Sequence, residues 1–138
     1  MNRILILFVA VILFFASTSS AQESTAETHR ARYVQLREKV IDLMTRAQDM
    51  SVDALALLKE QEVLLQQTHG LEGQAMDDFL ASYERIGPDR SLLIVVHACD
   101  ALAFTLRSLD SFIQTRDRRF LVLAKRGIDL MDSVEQFY

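Results

Sequence analysis

The stretch Asp89 to Ile113, DRSLLIVVHACDALAFTLRSLDSFI, limits the possible folds of this chain more than any other. Placed at about 100° per residue, Leu92, Val95, Val96, Cys99, Leu102, Ala103, Leu106 and Ile113 share one broad face, the recurrence of a core-facing helix. Leu93, Ile94, Ala98, Ala101, Phe104 and Phe112 cover much of the remaining circumference. A helix that is apolar nearly all round has to be buried among others, so this segment is expected at the centre of an all-α bundle. The exception is a strip formed by His97, Asp100, Arg107 and Ser111, with Leu93 and Phe104 interleaved. Charges beside a core must be paired or hydrated, because unpaired burial costs on the order of several kcal/mol or shifts the pKa until the group neutralises. His97, Asp100, Phe104 and Arg107 are therefore the candidate binding residues.

The helices around it follow from the same spacing. Ser24-Thr25-Ala26-Glu27 has the form of a capping box at a helix start, and Tyr33, Leu36, Val40, Leu43, Ala47 and Met50 form a heptad seam behind it. Asp42 and Arg46 flank the seam as an i, i+4 pair. A break is expected near Met50 and Ser51, with Ser51 as N-cap and Met50 stapled to Leu55. The next helix, Val52 to His69, is expected to end at Gly70, a suitable residue just past a helix end. Leu71 to Gly73 then reads as a loop, and Gln74 to Ile86 as a short helix that stops at Gly87-Pro88. Six polar residues, Gln114 to Arg119, make a turn before a last helix from about Asp117 to Phe137. Its stripe is Phe120, Ala124, Gly127, Met131, Val134 and Tyr138. Gly127 costs that helix about 1 kcal/mol relative to alanine, which close approach of a neighbouring helix would explain.

The chain opens with Met1-Asn2-Arg3, an apolar run from Ile4 to Ala16 and the small residues Ser19-Ser20-Ala21. This is the pattern of a secretory signal peptide cleaved after Ala21, and it predicts a periplasmic or secreted protein. Residues 22–138 are one domain's length, with no further segment expected to span a membrane. A single cysteine, Cys99, excludes an internal disulfide framework, and its place on the apolar face makes it a small buried hydrophobe. The formal charge of -4 gives no support to nucleic-acid binding.

Motifs for chemistry are scarce. Covalent haem attachment needs a second cysteine; haem held only by axial ligands would need a pair such as His97 with Met44 or Met131. The Glu-x-x-His spacing of bundle metal sites is absent, since Ala26, Gln66 and Ile94 precede the three histidines. No metal or cofactor is therefore expected. Neither a nucleophile elbow nor a phosphate loop is present in the sequence, and the chain reads as non-enzymatic. Arg116, Arg118, Arg119, Lys125 and Arg126 form a basic group suited to an anionic partner.

The expected fold is an up-and-down bundle of four longer helices and one short one, after a cleaved leader. The expected function is binding to another protein or to a second copy. The alternative is a small-ligand or cofactor carrier using the polar strip.

Overall fold

The computed structural model describes the side chains of residues 25–85 and 87–136. The side chains of residues 1–24, which include the expected leader and its cleavage point, lie outside the described residues, as do Ile86, Phe137 and Tyr138. Four helices follow one another: α1 (Asn2–Ala47), α2 (Ala54–Arg85), α3 (Arg90–Thr115) and α4 (Arg118–Glu135). Cross-links fix their directions. His29 meets Asp78 and Arg46 meets Glu60, so α1 and α2 are antiparallel. Thr105 reaches Ala124 across the α3–α4 corner, and Arg37 pairs with Asp132, which closes an up-down-up-down bundle.

α3 packs against each of the other three helices. All eight residues of its expected core face are buried, and so are Ala98, Ala101, Thr105, Ser108, Leu109 and Phe112. By length and composition α3 could cross a bilayer, contrary to the expectation that no segment after the leader could, but 67% of its apolar window is buried inside the bundle. Full burial of a Leu or Val side chain contributes roughly 1.5–3 kcal/mol, so Leu102, Leu106, Leu109 and Val95 anchor the core.

The seam on α1 is buried from Tyr33 to Ala47, but the helix stops there and Met50, expected in the seam, is 71% exposed in the turn. The break falls where it was expected, with a different cap. Asp53 accepts from Leu55 N at 3.1 Å, while Ser51 donates through its backbone and hydroxyl to Asp49 Oδ1. Leu55 is also exposed, so a staple with Met50 buries little. The helix also runs through Ser24 to Glu27, where a start was expected; with the leader attached no orphan N–H is left there to cap.

The separate short helix does not exist. α2 passes without interruption through Gly70, Leu71 and Gly73. The reason is its inward stripe, Leu57, Gln61, Leu64, Thr68, Leu71 and Ala75, which keeps steps of four and three across the glycines and is buried throughout. Two glycines cost about 1 kcal/mol each, less than the packing that a break would forfeit.

The remaining corners are capped locally. Gly87 adopts φ 106°, and its carbonyl accepts from Ser82 Oγ at 2.9 Å. Asp89 then caps α3 by accepting from Ser91 N. At the other end Arg116 takes the left-handed conformation, φ 58°, which an L-residue adopts at a cost of roughly 1–2 kcal/mol. Its guanidinium donates to the Ala47 carbonyl at 2.8 Å and lies 5.9 Å from the centre of the Phe112 ring. Those contacts tie the end of α1 to the α3–α4 corner and offset the strain. On α4, acidic residues near the C-terminus run against the helix dipole. The cations of α1 compensate: Arg37 pairs with Asp132 and Glu135, although Arg37 Nε, 3.2 Å from Glu135, has no aligned hydrogen bond.

Candidate functional site

Two regions carry the residues picked out by the sequence. The first is the outer strip of α3, where every third or fourth residue escapes the core. His97 and Asp100 stand with side chains 60% and 62% exposed, so the strip is hydrated and not a buried polar pair. His97 Nδ1 is 3.9 Å from Asp100 Oδ2, too far for a hydrogen bond. Phe104 is partly exposed, and Arg107 reaches His69 Nε2 on α2 at 3.1 Å.

The tertiary fold adds two residues to this strip that the sequence analysis passed over, His69 and Glu72. They repeat on α2 the His-x-x-acid spacing of His97 and Asp100, and that repeat is the signal that would have found them. Burial, and after it the Asp100 carboxylate, hold the Glu72 carboxyl above the ordinary range; His69 and Arg107 act in the other direction. The same two carboxylates add to burial in pushing the Cys99 thiol up to about 12, so this cysteine is a protonated, inert core residue. The strip is thus an open row of charged and polar groups across the α2–α3 seam. No group of three or more His, Cys, Asp or Glu side chains among the described residues is arranged to hold a metal. His97 and Met131 are not brought together as a haem pair, because His97 faces solvent while Met131 is fully buried in the core.

The second region is the end of the bundle where the α1–α2 turn meets the α3–α4 corner. An open groove of about 470 Å³ lies there, lined by Gln48, Met50, Phe112, Arg116, Arg118, Leu121, Val122 and Lys125. It unites three members of the basic group with apolar side chains that the sequence placed on separate helices. The five cations are not equivalent. Arg116 is engaged with Ala47 and Phe112, and Arg119 with the Asp117 carboxylate that caps α4. Arg118, Lys125 and Arg126 are exposed and take part in no ion pair among the described residues. Only Arg118 and Lys125 of these line the groove; Arg119 and Arg126 do not.

A further buried polar link escaped the sequence analysis. His29, with its side chain 8% exposed, bonds Asp78 Oδ2 through Nε2 at 2.7 Å and so clasps α1 to α2. Its Nδ1 has no hydrogen-bond partner among the described residues. Asp77 and Asp78, near the start of the short helix expected from Gln74, lie well inside α2.

No known protein family, no curated protein and no solved structure matches this chain.

Proposed function

We propose that this is an exported, non-enzymatic helical bundle that works by binding another protein, with association to a second copy as the homotypic form of the same activity. The observation carrying this reading is the coincidence, around one groove, of exposed Met50 and Val122 with the cations Arg118 and Lys125, which form no ion pair among the described residues. Apolar surface beside uncompensated charge is what a protein interface offers before its partner arrives. The apolar surface of α3 gives no such support, since the other helices cover most of it.

The export half of the proposal rests on Arg3, the Ile4–Ala16 run and Ser19-Ser20-Ala21. Mass spectrometry of the protein from an expressing bacterium should return a chain beginning at Gln22; full-length chain retained in the membrane would refute it. The binding half is tested with a photoreactive amino acid at Val122, at Val63 and at His97 in turn, irradiated in intact cells. A discrete protein adduct or a crosslinked dimer at one of these faces supports the reading. No adduct at any of them, with a monomer in light scattering, refutes it.

A carrier of a small polar ligand is the second reading, favoured by the arrival of His69 and Glu72 beside His97, Asp100, Phe104 and Arg107. Native mass spectrometry separates the two: the bare chain mass argues against the carrier, and a retained small molecule lost on His97→Leu argues for it.

A further inference from the structure

Resting on the protein-binding reading, we propose that the groove at the α3–α4 corner takes an acidic, amphipathic segment of a partner protein. The sequence carries 19 Asp and Glu against 15 Lys and Arg, yet among the described residues no carboxylate lines this groove and three cations do. Its apolar lining is Phe112, Leu121 and Val122, with Met50 contributed by the α1–α2 turn. The two unpaired cations, Arg118 and Lys125, are seven residues apart on α4, about 10 Å along one side of the helix. Carboxylates two turns apart on a helical segment match that separation, and apolar residues between them would meet the apolar lining. This is charge complementarity combined with an apolar anchor, the arrangement of helix-in-groove recognition.

A lipid surface is the competing occupant, and the geometry disfavours it. Asp49 and Asp53 sit in the same turn as Met50, and Asp117 sits at the corner beside Arg118. A flat anionic bilayer would press its phosphates against these carboxylates as well as against the cations, whereas a narrow segment entering the groove meets only its lining.

The test uses a fluorescein-labelled synthetic peptide built from Leu and Glu in helical amphipathic spacing, its Leu and Lys counterpart, and phosphatidylglycerol vesicles. Anisotropy should show saturable binding of the acidic peptide alone, weakened about tenfold in the double variant R118E/K125E and by added salt. The variant R85E/R90E, with the same change of charge at the opposite end of α3, should bind like the unaltered protein. Circular dichroism melting verifies that both variants are folded. Absence of acidic-peptide binding, or binding that R118E/K125E leaves intact, overturns the proposal; so does vesicle binding that the same substitutions abolish while the peptide fails to bind. Photo-crosslinks to protein from Val63 or His97 with none from Val122 would leave the protein-binding reading standing and sink only the groove.

Discussion

Gly127 on α4 lies so close to Thr105 on α3 that a methyl group on Gly127 would fall on the Thr105 hydroxyl, with Thr105 Cβ at 3.1 Å and Phe104 Cδ1 at 3.2 Å. Thr105 is fully buried and β-branched, and its hydroxyl already bonds Ala101 O at 3.1 Å and approaches Ala124 O at 3.4 Å. It cannot swing away cheaply. Gly127→Ala gains about 1 kcal/mol of helix propensity but overpacks the crossing by roughly 1–3 kcal/mol. The expected outcome in urea unfolding is net destabilisation, relieved when Thr105→Ala is added. An additive double mutant would show that the two positions do not touch.

The other glycines divide by the same criterion. Gly70 and Gly73 are helical and have nothing within 4 Å of an added Cβ, so alanine at either should stabilise by about 0.5–1 kcal/mol. Gly87, at φ 106°, should lose stability on the same substitution, because the backbone conformation itself excludes a side chain. Thermal melts of the three single variants check the order.

Glu72 gives stability a pH dependence of definite sign. Its folded-state carboxyl titrates above the ordinary range, through burial first and Asp100 second, so the native state holds the proton more tightly than the unfolded chain. The neutral form is favoured in the fold, and that favour is lost as pH rises through the folded value. Glu72→Gln should therefore raise the melting temperature at neutral pH, and the gain should vanish below about pH 4, where both states are protonated. Melts across that range decide it. Asp100→Ala, at a side chain 62% exposed, should stay within about 0.5 kcal/mol of the unaltered protein.

Cys99 should be silent towards thiol reagents. The thiol is buried and pushed up to about 12 by burial, then by Glu72 and Asp100. An aromatic disulfide reagent at mildly alkaline pH should label it only at the rate of unfolding, in step with denaturant. Cys99→Ser, placing a hydroxyl on an apolar face, should cost about 1–3 kcal/mol. Immediate labelling of native protein would contradict this burial.

The heptad spacing of Tyr33, Leu36, Val40, Leu43 and Ala47, and the near-complete apolar circumference of Leu92 to Ile113, made an all-α bundle with a central helix over that stretch legible from the chain alone. The register of buried residues is set by helical geometry, which sequence spacing reports directly. The short helix is absent because the stripe from Leu64 through Leu71 to Ala75 continues across Gly70 and Gly73, which by local propensity alone would mark a stop. Local propensity of about 1 kcal/mol yields to packing along a whole face.

The sequence determined by itself that residues 97, 100, 104 and 107 leave the core together and that Gly127 requires a close neighbour, since both follow from position on one helix. Only the tertiary structure decided what stands opposite. It set His69 and Glu72 beside the polar strip, and it left that strip in water. It also separated five similar cations: Arg116 and Arg119 are tied to Ala47 and Asp117, Arg118 and Lys125 join Arg116 in lining a groove with Met50, Phe112 and Val122, and Arg126 lies outside it. The spacing of one helix carries no record of which turn of another lies across from it; that registry is fixed by packing, and the chemistry of both regions depends on it.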